Sequence, residues 1–173
     1  MNWGEAFNCN LEKERIDMNK ALVTYFSAEG TTKQVAERLA KAIDADLFEI
    51  VPMKKYTAAD IKWTNPLARC NREKIGRKNV PVTGKVENMS EYDIIFVGFP
   101  IWYGCAPNVV NSFLQEYDLS GKKIAAFATS GGSGIGRTAE KLRPYVTGGT
   151  VVDARLFSAS AGEKELKAWA EAL

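Results

Sequence analysis

Three short stretches hold the residues whose types and spacing could do chemistry. In 27-SAEGTT-32, the hydroxyls of Ser27, Thr31 and Thr32 crowd around Gly30, between an apolar run and an amphipathic pattern. A tight turn that runs into a helix presents unpaired backbone N–H groups, and the helix dipole favours an anion there. Gly30 lets the backbone curl closely around a guest. A helix cap alone would need one hydroxyl, so this crowding predicts a phosphate site. It is a poor match to the ATP loop G-x-x-x-x-G-K-[ST], because Lys33 follows both threonines and the first glycine is missing. The pattern suits one terminal phosphate monoester.

The second stretch is 100-PIWYGCAPN-108. Pro100 closes an apolar run, and Trp102 and Tyr103 follow where a strand should give way to a loop. Core burial is the alternative, yet a loop start beside Gly104 is a poor core position. Aromatic faces at a strand end make a stacking platform for a flat heterocycle. Gly104 tolerates either sign of φ, so its peptide could face a ring nitrogen or turn from it. Cys105 reads as a small packed residue rather than a redox group, since the chain has no histidine to activate it. The third stretch, 129-TSGGSGIGR-137, nearly spells the glycine turn T-G-x-x-x-G-I-G of short-chain dehydrogenases. Ser130 occupies the second position, however, and a dinucleotide fold needs that turn after its first strand, with most of the sheet still to come. Here it follows the fourth predicted strand, where its amides could meet the polar edge of the same flat ring. An anion site, an aromatic platform and an amide-rich loop together fit a phosphorylated ribityl flavin, with another nucleotide monophosphate as the lesser fit.

The elements that must position these loops come from the periodicity. Residues 21–26, 46–51, 93–99, 123–129 and 150–157 read as strands. Residues 31–43 read as a helix with Val35, Leu39 and Ile43 on one face. Further helices are predicted over 108–116, with Pro107 near the first turn, over 134–143, stopped by Pro144, and over 162–173, with Leu166, Ala170 and Leu173 facing the core. Strands apolar on both faces and alternating with helices predict a parallel sheet covered on both sides. Five strands over this length suit a doubly wound sheet of order 2-1-3-4-5. Residues 53–92 are the weak link: short helices over 56–63 and from Pro66 to residue 75 are predicted, and the rest is loop.

The 173 residues suit one domain, predicted over 20–173 after an N-terminal extension of residues 1–19. The complete absence of histidine removes the commonest general base, the commonest metal ligand and every Ser-His or Cys-His pair. No side chain is predicted to be catalytic and none to bind a metal. Three scattered cysteines argue against a disulfide framework. No run approaches the roughly 18 apolar residues of a membrane span, and the N-terminus lacks the basic start and apolar middle of a signal peptide. A cytoplasmic protein is expected. A net charge of +2 does not call for nucleic acid. Residues 69–85 are locally basic, with Arg69, Arg72, Lys74, Arg77, Lys78 and Lys85 against Glu73, which fits a solvated loop or an anionic ligand or partner.

The motifs YFSAEGTT, FPIWYG and TSGGSG, in order and at successive strand ends, resemble the flavodoxin-like FMN-binding proteins. The similarity lies in the branch described as flavodoxin-like reductases or family-4 flavodoxins. It implies an α/β three-layer sandwich with a five-stranded parallel sheet of order 2-1-3-4-5, and FMN as cofactor. It implies that Ser27, Gly30, Thr31 and Thr32, with the backbone of Ala28 and Glu29, hold the FMN phosphate. It places Pro100, Ile101, Trp102, Tyr103 and Gly104 beside the ring and ribityl chain, and Thr129, Ser130, Gly131, Gly132 and Ser133 at the pyrimidine edge. Glu29 must then point to solvent. The implied function is flavodoxin-like electron transfer, with a redox protein as partner, or NAD(P)H-dependent reduction of a quinone-type acceptor. Pure carriers of this family are strongly acidic, whereas this chain has a pI near 8.4. A cofactor-free relative with a regulatory or binding role is the remote alternative. A phosphorylatable receiver is excluded, because Ser27 and Pro100 stand where its acidic residues belong.

Overall fold

Apolar strand segments alternating with amphipathic helices resolve into a five-stranded parallel sheet in the computed structural model, which describes residues 20–173. The predicted extension over residues 1–19 lies outside the described residues. The sheet strands are β1 (Ala21–Tyr25), β2 (Asp46–Glu49), β5 (Ile94–Pro100), β6 (Lys123–Thr129) and β7 (Thr150–Leu156), while β3 (Val51–Pro52) and β4 (Val82–Thr83) form a small antiparallel ribbon. The sheet order β2-β1-β5-β6-β7 is the predicted 2-1-3-4-5. The helices are α1 (Thr31–Ile43), α2 (Arg69–Ile75), α3 (Asn108–Gln115), α4 (Thr138–Leu142) and α5 (Glu163–Glu171).

Each face of the sheet has its own core. Val35 and Leu39 of α1 and Leu166 and Trp169 of α5 pack against Val23, Phe96 and Phe127. On the other face Val109, Val110 and Phe113 of α3 and Leu142 of α4 cover Ile95, Val97, Phe99 and Ile124. Phe96, Phe99, Phe113 and Phe127 are fully buried, and each such side chain contributes about 2 kcal/mol of hydrophobic stabilisation. Trp169, which the predicted apolar stripe of the last helix omits, packs edge-on to Phe96, Phe127 and Phe157 and donates its indole N–H to Asp153 at 2.6 Å.

Several predicted boundaries shift, each for a local reason. Only the three central strands are buried on both faces; Leu47 of β2 and Val152 and Leu156 of β7 are exposed on the edges. The predicted strand over 46–51 ends at Glu49. Ile50 still donates its N–H to Tyr25 at 2.7 Å, after which the chain leaves to pair with β4. The predicted helix over 134–143 shrinks to α4 and a 3₁₀ turn at Arg143–Tyr145. Gly136, held at φ 50°, keeps the segment before it out of a helix. Residues 56–63 form turns rather than a helix, because Asp60 Oδ2 accepts from both the amide and the hydroxyl of Thr57 at 2.9 Å and closes the chain locally. The helix predicted from Pro66 begins at Arg69 instead.

The long segment between β3 and β5 is anchored by a buried carboxylate. Glu73 accepts from Arg69 Nε and from the Tyr56 hydroxyl, each at 2.5 Å, and Arg69 lies over the Tyr56 ring at 4.2 Å. Burial, followed by the Glu73 carboxylate, pushes the Tyr56 phenol well above its ordinary pKa, so it stays a donor. Arg69 also donates to Lys54 O at 2.7 Å, which closes the segment on itself.

Two stability changes are expected. A Cβ at Gly98 would meet the buried Phe127 ring at 2.2 Å, so Gly98→Ala should cost about 1–3 kcal/mol in urea unfolding, as overpacking of a rigid core. An unchanged unfolding midpoint would overturn this account. Glu73→Leu leaves Arg69 unpaired and should cost about 3 kcal/mol in the same assay.

Candidate functional site

The carboxyl ends of β1, β5 and β6 finish side by side. Pro100 is in register with Thr129, and Tyr25 with Gly98. Phe26 donates to Gly98 O and Ile101 to Thr129 O, both at 2.9 Å, so the next residues leave the sheet together.

The first loop is shaped from within. Ser27 Oγ accepts from the Gly30 amide at 3.0 Å, and Gly30 sits at φ 89°, in the left-handed region that glycine enters without a Cβ clash. Gly30 is also the cap residue of α1, with no side chain bonded to the helix amides. The first N–H groups of α1 therefore point into the loop without a protein partner, carrying the positive end of the helix dipole. Glu29 is exposed, as a neighbouring anion requires. Thr32 is buried and its hydroxyl bonds that of Thr129 at 2.8 Å. This bond ties the first loop to the third, so Ser27 and Thr31 are the hydroxyls best placed to meet a ligand.

The second loop is a tight hairpin. Trp102 and Cys105 exchange backbone bonds of 3.0 and 3.2 Å, with Tyr103 at φ 54° and Gly104 at φ 69° between them. Positive φ at both central residues defines a type I′ turn. Gly104 fits it freely; Tyr103 is held there at a cost of about 1–3 kcal/mol. The turn separates the two aromatics that the sequence offers as one platform. Trp102 is half-buried and packs edge-on against Phe26 at 5.6 Å and Tyr56 at 5.3 Å. Tyr103 is exposed, with its hydroxyl donating to Asn71 Oδ1 and lying 3.3 Å from Cys70 Sγ. Burial, then that thiol contact, hold its phenol above the usual range.

In the third loop Ser130 Oγ accepts from the amides of Gly132 and Ser133 at 3.2 and 2.7 Å, curling the chain around its own hydroxyl.

Together these loops enclose a cleft of about 560 Å³, within the roughly 300–1,000 Å³ of small-molecule sites. Ser27, Ala28, Glu29, Thr31 and Thr32 line one end, Pro100, Ile101 and Trp102 a wall, and Thr129, Ser130 and Gly131 another side. Tyr103 and Ser133 line an adjoining recess of about 300 Å³ that shares Ile101 and Trp102 with it. Gly30, Gly104 and Gly132 lie in the loop backbones without lining either space. The remaining wall consists of Ala58, Ile61, Lys62 and Trp63, which the motifs do not include. The available signal is Trp63 itself, a large aromatic outside every apolar period, here 71% exposed at the cleft mouth. Amides and hydroxyls at one end and an aromatic wall beyond match an anionic group joined to a flat ring, so the residues present fit FMN.

The comparisons agree with this geometry. No curated protein matched the sequence. A candidate flavoprotein from Bacteroides eggerthii superposes with a TM-score of 0.82 at 38% identity, covering 90% of this chain and 98% of its own. Another from Bacteroides uniformis gives 0.80 at 36% identity, covering 88% and 98%. A Lactobacillus acidophilus flavoprotein in complex with FMN shares the fold, with a TM-score of 0.69 at 22% identity over 88% of this chain and 99% of its own. The flavodoxin family model matches residues 20–173, and the chain belongs to the flavodoxin family.

Proposed function

We propose that this flavodoxin-family protein holds FMN in the cleft of about 560 Å³ and serves as an FMN-dependent electron-transfer protein. The observation that carries this reading is the convergence of the uncapped α1 N-terminus and the fixed Trp102 indole on one cleft. The phosphate lies at Ser27, Gly30, Thr31 and Thr32, where amides and hydroxyls of the loop donate and the lysine of an ATP loop is missing. The ring lies along Pro100, Ile101 and Trp102, with Tyr103 and Gly104 shaping the hairpin beside it. The polar ring edge faces the loop from Thr129 to Ser133. Bound FMN would supply the reversible electron transfer, chemistry that belongs to the cofactor. The chain's own part is to anchor the phosphate, orient the ring against Trp102 and limit water at the mouth with Trp63.

A second reading has support in the charge. The net charge of +2 departs from the acidic surface of a carrier that docks on basic partners, and favours reduction by NAD(P)H with transfer to a quinone-type acceptor.

The purified protein should be yellow, with bands at about 375 and 450 nm from the flavin. A colourless protein that does not take up added FMN would overturn the reading. Ser27→Ala removes the acceptor that folds the loop and a donor to phosphate. FMN affinity should fall about tenfold while riboflavin affinity stays level in fluorescence titrations, and an equal loss for both would move the phosphate elsewhere. Anaerobic mixing with NADPH separates the two modes: fast bleaching supports the reductase, and persistent colour supports the carrier.

A further inference from the structure

A second cleft, of about 590 Å³, shares no lining residue with the first. Lys74, Arg77, Lys78 and Lys141 converge on it, and no carboxylate lines it. None of the four has a carboxylate partner among the described residues. Two instead reach the aromatic hairpin: Lys74 Nζ donates to Cys105 Sγ, and Lys141 Nζ to Gly104 O at 3.2 Å. The Gly104 carbonyl orients Lys141 without neutralising it. The Arg77–Lys78 segment is fixed too, because Asn108 Nδ2 donates to the carbonyls of Glu73 at 2.8 Å and Lys78 at 3.0 Å. Concentrating like charge in a concave wall is unfavourable unless an anion compensates it. Asn79, Asn111, Ser112 and Gln115 add polar lining beside the cations.

We propose that this basic cleft is a second ligand site, for a small molecule that carries phosphate groups. The volume lies within the range of small-ligand sites. Four cations suit more than one phosphate, or one phosphate with a further negative group. A nucleotide and a phosphorylated sugar both satisfy this chemistry. The site stands apart from the flavin reading, because its residues are separate, yet Cys105 and Gly104 join it to the hairpin that carries Trp102. A ligand there would press on the same turn that forms the wall of the first cleft.

Isothermal titration of the protein as purified, flavin content recorded, tests this with adenosine 2′,5′-bisphosphate and fructose 1,6-bisphosphate, against inorganic phosphate. At least one bisphosphate should saturate a single site with a Kd below about 1 mM and bind more tightly than phosphate, and which one does so identifies the source. Arg77→Glu with Lys78→Glu should weaken that binding about tenfold and leave flavin retention unchanged; Arg77→Gln on the exposed loop gives the milder reading if the double variant does not fold. The site is overturned if neither bisphosphate outbinds phosphate, if the charge changes leave binding intact, or if added FMN displaces the ligand. Because flavin content is measured separately, a colourless protein that still binds a bisphosphate sinks the flavin reading and leaves this one standing.

Discussion

Everything functional in this protein depends on three parallel strands ending level. Parallel pairing keeps Gly98, Phe127 and Tyr25 in adjacent rows, and the absence of a side chain at Gly98 lets the Phe127 ring lie across β5. Because the strands run in the same direction, their exits fall on one edge, and loops unrelated in sequence become neighbours. The Thr32–Thr129 hydroxyl bond is the clearest consequence, joining residues 97 positions apart at the point where two loops begin. A helix N-terminus that would otherwise face solvent is thereby set against a glycine-rich turn and an indole.

The long segment after β3 acts as a second scaffold. Its buried Glu73 fixes Arg69 and Tyr56, Tyr56 braces Trp102, and Asn108 of α3 bonds back to the Glu73 carbonyl. One carboxylate therefore supports the aromatic wall of the first cleft while its own segment carries three of the four cations of the second. The hairpin between them is strained at Tyr103 and bonded on both sides. That places two clefts of similar size around a common turn, one lined by amides and aromatics, the other by cations.

Among the described residues no helix is long and apolar enough to cross a membrane. The charge asymmetry visible in residues 69–85 divides on folding. Arg69 turns inward to a carboxylate, while Lys74, Arg77 and Lys78 collect beside Lys141 from a distant helix.

By itself the sequence determined what depends on local and periodic order. The apolar runs specify the central strands, the stripe of Val35 and Leu39 specifies α1, and glycine and hydroxyls at 27–32 specify a tight turn into that helix, because these are properties of neighbouring residues. The motif order and spacing also carried the family. Tertiary structure alone decided which residues share a space. Trp63 joins the cleft with its turn tied to α2 by the Asn71 amide, which donates to the Trp63 carbonyl at 2.9 Å, and Tyr103 leaves Trp102's side because a type I′ turn reverses the chain between them. Lys141 reaches Lys74 across 67 positions for the same reason. Such pairings rest on long-range burial and hydrogen bonds, which leave no period in the sequence.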